Sequence, residues 1–133
     1  MHIMGIAIDT RTGAPIIILN DKERRRALPI WIGQAEASAI IRIMEGMETP
    51  RPMTHDLICK ILEINECTLE KIEINDLNDN TYYATIFMKD AGGKTHEIDA
   101  RPSDALALAM KIHTPVFVTP NVVLDGTISM DLE

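Results

Sequence analysis

Cysteine is scarce in this chain. Cys59 and Cys67 are too few and too isolated for a disulfide framework or a zinc site. A reducing compartment, the cytoplasm, is therefore expected. Aromatic residues make up only 4% of the 133, against 46% hydrophobic overall, so the core has to be aliphatic. No apolar run approaches the roughly 18 residues that cross a bilayer, which argues against a membrane role. The opening Met1-His2-Ile3-Met4-Gly5-Ile6 lacks a basic region and a cleavage pattern, and it reads as a strand. Also missing are a Walker loop, a dinucleotide fingerprint, a HExxH pair and a recognisable Ser-His-Asp order.

Positive charge is short as well. The formal net charge is −7, and the deficit lies in the second half. Residues 1–66 carry 8 basic and 9 acidic side chains, whereas residues 67–133 carry 5 and 11. A protein that grips nucleic acid by neutralising phosphates is usually basic. One exception is Lys22-Glu23-Arg24-Arg25-Arg26, at the tip of an expected hairpin. It is either a solvated turn or a landing strip for a polyanion, with Arg24, Arg25 and Arg26 touching the ligand.

The length suits one domain over residues 1–133. Residues 2–9, 14–19 and 28–32 read as strands, with Pro29 marking an edge or a bulge. A helix follows from about 34 to 46, with Ile40, Ile43, Met44 and Met47 on one stripe. A second begins at Thr54 and buries Leu57, Ile58, Ile61 and Leu62. Strands are expected around Ile72 and Ile74, at 81–89 and at 95–100. A third helix opens at Ser103, and a short strand follows at 115–118. The segment after Asn121 carries no clear pattern. The order is βββαα-βββα-β, an α+β fold with a mixed sheet and a hint of internal repetition.

What the sequence does have is one device used twice. Arg51-Pro52-Met53-Thr54-His55-Asp56 and Arg101-Pro102-Ser103-Asp104 each look like the mouth of a helix. Proline keeps the arginine before it out of helical geometry. Thr54 and Ser103 are good N-caps, and Asp56 and Asp104 suit the positive end of the dipole. His55 has an imidazole beside a carboxylate, which suits proton transfer. Glu36, Asp56, Asp99 and Asp104 all fall at junctions that lead into helices. If these gather, they either hold a hard divalent cation through oxygen or need arginine to offset their repulsion. Arg51 and Arg101 suit that role, or a bidentate grip on phosphate. Each acid taken alone is explained by helix-end electrostatics.

The same residues resemble the bifunctional nuclease domain family. The matching blocks are residues 28–33 with Glu36-Ala37, residues 50–57, residues 79–84, residues 98–105 with Leu108-Ala109, and residues 114–118. They run in order over nearly the whole chain. The resemblance implies a fold peculiar to the family, self-association with a dimer favoured, and hydrolysis of RNA and single-stranded DNA with little sequence preference. On that reading His55 is the general base or acid, working with Asp56 and Asp104. Arg51 and Arg101 stabilise transition-state charge, Thr54 and Ser103 bind substrate, and Glu36 and Asp99 hold a Mg²⁺-like ion. The rival reading is a non-catalytic regulatory or assembly domain whose arginines lock the acids internally. A third is a binder of a small anion at the helix mouths.

Overall fold

Alternating aliphatic residues build the first sheet. β1 (His2–Ile8), β2 (Pro15–Asn20) and β3 (Arg26–Trp31) form an antiparallel meander in the computed structural model, which describes residues 1–21, 23 and 25–129. Ile17 pairs with Ile30 and Leu19 with Leu28, and all four side chains are buried on one face. Each such burial stabilises by about 1.5–3 kcal/mol. The tail returns as β8 (Ile128–Ser129), which pairs with Arg26 and Ala27 of β3. Pro29 lies beyond that short pairing on the open edge, where its missing N–H is tolerated.

α1 (Gln34–Met44) follows the Gly33 break and stops earlier than the apolar stripe suggests. Gly46 at φ +64 lets the chain turn back. Its N–H bonds Ile43 O, and Met47 N–H bonds Arg42 O, satisfying two orphan carbonyls at the helix end. α2 (Thr54–Ile64) ends the same way, with Glu66 in the left-handed position.

The second half repeats the plan. β4 (Thr68–Asn78), β5 (Thr81–Lys89) and β6 (Thr95–Ala100) form another antiparallel meander. Asp79 and Asn80, both at positive φ, make the tight turn between β4 and β5. α3 (Pro102–Ile112) follows, then β7 (Val116–Val118), which joins β4 in parallel. α4 (Pro120–Gly126) fills the segment that shows no pattern in sequence.

The architecture is α+β, with two four-stranded sheets ordered β1-β2-β3-β8 and β6-β5-β4-β7 among the described residues. α3 is the centre of the molecule. Ser103 and the run Ala105–Ala109 are buried, and the helix touches α1, α2, β4 and β5. A helix enclosed on several sides has to be small and apolar all round, which explains its Ala and Leu content. One buried cluster joins Ile17, Leu28 and Ile40 to Ile72, Ile74, Ile86 and Leu106.

Two local expectations need correcting. The N-caps are Met53 and Arg101, so Thr54 and Ser103 sit inside their helices. Pro102 takes the first helical position, where its fixed φ fits and no N–H is needed. At α2, Asp56 Oδ2 accepts from Met53 N–H at 2.8 Å, so the acid three residues on satisfies the cap. The second correction concerns the buried side of α2. Ile58 and Leu62 pack on the core, but Leu57 and Ile61 are 56% and 51% exposed. The two pairs form neighbouring rows about 100° apart, and a helix leaning mainly on α3 buries only one of them.

Candidate active site

The two helix mouths meet. His55, the second residue of α2, places Nε2 3.1 Å from Asp104 Oδ1, near the start of α3. A carboxylate only accepts, so the neutral imidazole carries its proton on Nε2 and leaves Nδ1 as the basic nitrogen. Asp104 uses its other oxygen for Arg101, whose Nε and Nη2 both lie 3.0 Å from Oδ2. Arg101 Nη1 then donates to Glu36 Oε2 at 3.0 Å. Four residues expected at the site, His55, Asp104, Arg101 and Glu36, thus form one continuous chain across α1, α2 and α3.

The guanidinium bridges two carboxylates that would otherwise repel. The hydrogen bonds that Arg101 donates to Asp104 first and then to Glu36 hold its pKa above the ordinary value, so the bridge stays charged. Arg101 is 64% exposed, and an ion pair in such a place contributes about 0–1 kcal/mol. Its chief effect is geometric, because it fixes the Asp104 carboxylate that orients His55.

A second contact runs parallel to the first. Asp56 bonds Lys111 in the last turn of α3. The Lys111 ammonium, helped by the Met53 N–H, pulls the Asp56 carboxyl below its ordinary range. Asp104 and Lys111 are seven residues apart, which is two helical turns and so one face of α3. Consecutive residues of α2 therefore grip opposite ends of one stripe on α3. Lys111 is a site residue that the sequence analysis missed. Its signal was an acid and a base at i and i+7 on one helix, each left without a partner there.

Beside this double contact lies a cleft of about 710 Å³ between the end of α1, the linker and the adjoining ends of α2 and α3. Ile43, Met47, Pro50, Pro52, Met53 and Met110 form its apolar walls. Arg42, Glu48, His55, Asp56, Lys111 and His113 supply its polar lining. Arg42 and His113 were likewise not singled out in the sequence. The formal charges of its lining cancel, Arg42 and Lys111 against Glu48 and Asp56, on a chain that is acidic overall.

The remaining expected residues lie elsewhere. Arg51 is exposed and makes no ion pair among the described residues. It stands five positions before Asp56, whereas Arg101 stands three before Asp104, the spacing of one helical turn. Thr54 is exposed beside the cleft, and Ser103 is buried. Asp99 is exposed on β6 opposite Thr85 and does not join Glu36. Arg25 pairs with Glu23. Arg26 turns inward, its Nε donating to Thr127 Oγ1 at 2.6 Å. Arg24 lies outside the described residues. Trp31, Tyr82 and Tyr83 do not line the cleft.

No three His, Cys, Asp or Glu side chains converge as metal ligands among the described residues. Glu36 and Asp104 already accept from Arg101, and Asp99 is apart from both. This donor set does not fit a preformed Mg²⁺ site.

The family model of the bifunctional nuclease domain matches residues 17–131. The chain belongs to the bifunctional nuclease domain family. Its relatives include an uncharacterised protein of Mycobacterium tuberculosis, strain H37Rv, 36% identical over 118 residues. That alignment covers 89% of this chain and 70% of the relative. Bifunctional nuclease 1 of Oryza sativa subsp. japonica is 21% identical over 97 residues, covering 71% of this chain and 29% of the rice protein. The bifunctional nuclease of Oryza minuta matches to the same extent. No helix is long and apolar enough to cross a membrane among the described residues.

Proposed function

We propose that this chain is a phosphodiesterase that hydrolyses RNA and single-stranded DNA with little sequence preference. The observation that carries the reading is the His55–Asp104 pair, clasped by Arg101, with His55 on the wall of a cleft that also holds Arg42 and Lys111. Family membership and the names of the rice relatives support it.

In this reading a nucleotide unit lies in the cleft, its base against the methionine and proline walls. Arg42 and Lys111 attract the phosphate. His55 Nδ1 takes a proton from the attacking water, and Asp104 stabilises the imidazolium that forms. Arg101 spends three donors on Asp104 and Glu36 and, standing outside the cleft lining, acts by fixing the carboxylate that orients His55. Glu36 holds Arg101 in place. No step is routed through a divalent ion, because the acids are committed to arginine. Cys59 and Cys67, both free thiols, support a reducing, cytoplasmic setting. The exposed apolar row on α2 supports assembly as a homodimer.

The test is cleavage of end-labelled single strands by purified His55→Ala and Asp104→Asn proteins. Both variants should melt near the wild-type temperature and cleave at least about 100-fold more slowly. Unchanged rates, once contaminating nuclease is excluded, would overturn the assignment.

One observation favours the rival assembly-domain reading, namely that Arg101 already neutralises Asp104 and Glu36. That reading expects an inactive wild-type protein and, for Arg101→Gln, a small fall in melting temperature and no loss of rate. The enzyme reading expects a small fall with most of the rate lost.

A further inference from the structure

The cleft carries two imidazoles, and the reading above uses only one. His113 closes α3 with φ 56 and ψ 46, the left-handed position that α1 fills with Gly46. Its ring is exposed and lines the same cleft as His55. It makes no side-chain hydrogen bond or ion pair among the described residues. A glycine would end the helix with less strain, so the imidazole contributes little that the fold needs. His55 enters from the start of α2 and His113 from the end of α3, so the two rings reach the cleft from different elements.

We propose that His113 is the second proton-transfer group of this site, the acid that protonates the leaving oxygen while His55 accepts the proton of the attacking water. The proposal rests on the phosphodiesterase reading and extends it. In the step, the water oxygen forms a bond to phosphorus and the bond from phosphorus to one sugar oxygen breaks. The water proton goes to His55 Nδ1, and a proton from His113 goes to the departing sugar oxygen. Solvent then returns both rings to their starting states, at a net consumption of one water per bond cleaved. Paired imidazoles of this kind avoid a high-energy alkoxide leaving group without calling on a metal.

Several charged groups face His113 and set the conditions of the test. Arg42 and Glu48 approach from the end of α1 and the linker, His55 and Asp56 from α2, and Lys111 from the preceding turn of α3. His2 of β1 lines an adjoining depression.

The experiment compares wild type, His113→Gly, His113→Asn and His55→Ala on two substrates. One is a labelled RNA oligonucleotide, and the other is a nucleotide p-nitrophenyl phosphodiester, whose leaving group needs no acid. The His113 variants should lose about 100-fold in kcat on the oligonucleotide and stay within about 3-fold of wild type on the nitrophenyl ester. Their rate on RNA should also lose the fall at high pH that an acid imposes. His113→Gly should melt at or above the wild-type temperature, which separates a proton donor from a helix-end residue. Wild-type cleavage of RNA by the His113 variants, alongside an inactive His55→Ala, would overturn this proposal and leave the phosphodiesterase reading intact. Equal losses on both substrates would also overturn it, because they indicate positioning and not proton donation. A wild-type protein inactive on both substrates would overturn the two readings together.

Discussion

Asp56 shows how a single side chain can serve fold and site together. Its carboxylate caps α2 through Met53 N–H and reaches Lys111 across the gap to α3. Both contacts favour the ionised form, so the folded pKa lies below the ordinary 3.8. The sign of the linkage follows directly. A depressed carboxyl stabilises the fold fully above its unfolded pKa, and the contribution disappears as pH falls through the folded value. With a third of the side chain exposed, solvent screening limits that contribution to roughly 1 kcal/mol or less. Melting curves of wild type and Asp56→Asn should therefore differ by a few degrees above the ordinary carboxyl range and converge in acid, as pH falls through the lowered folded value. A gap that persists in acid would mean that the ion pair is not its source. At this scale the sequence identified His55, Asp104, Arg101 and Glu36 as candidates, since each stands at a helix entrance. It could not show that His55 reaches Asp104 and not the neighbouring Asp56, because that choice depends on how α2 lies across α3. The failure of the expected symmetry between Arg51 and Arg101 was legible. Met53 and His55 lengthen the first mouth by two residues, so Asp56 stands two places further from its arginine than Asp104 does.

Among the described helices, α2 is the least buried. It has no fully buried residue, and an eleven-residue helix is marginal in water without packing. Met53, Leu57, Ile61 and Ile64 form one row along its outer face, and all are at least 42% exposed. A second copy packed on this row would bury it and would bring two clefts near a shared axis. Leu57→Glu and Ile61→Lys are therefore expected to shift the protein from dimer to monomer in light scattering, with the far-ultraviolet circular dichroism unchanged. A monomeric wild-type protein at tens of micromolar would contradict the assembly. The turn residues Asn78-Asp79-Asn80 and Gly92-Gly93 located β5 and β6 to the residue. Periodicity could not decide which apolar row of α2 faces inward, since Leu57/Ile61 and Ile58/Leu62 share the same spacing. The short α4 and β8 had no periodic signal, because elements of that length hold too few residues to show one.

On the scale of the whole molecule, two meanders enclose a central small-residue helix, and the cleft opens where the three longer helices approach one another. The α+β class and the repeated three-strand plan were readable from local patterns. The division into two sheets was not, since it is set by β7 joining β4 and β8 joining β3 across long stretches of chain. The repeat is also imperfect in space. The added strand flanks the last strand of the first meander but the first strand of the second. The chain is acidic overall and the cleft lining holds as many anions as cations. On the phosphodiesterase reading, association with an anionic strand should therefore be weak.

The central claim is that the α2 and α3 entrances act as one chemical unit through His55 and Asp104. A double-mutant cycle on kcat for single-strand cleavage tests it most directly, using His55→Ala, Asp104→Asn and the combined variant. If the two residues act together, each single change costs about 100-fold and the double variant is no slower than the slower single. A double variant whose loss is the product of the two, or either single variant at the wild-type rate, would contradict the account.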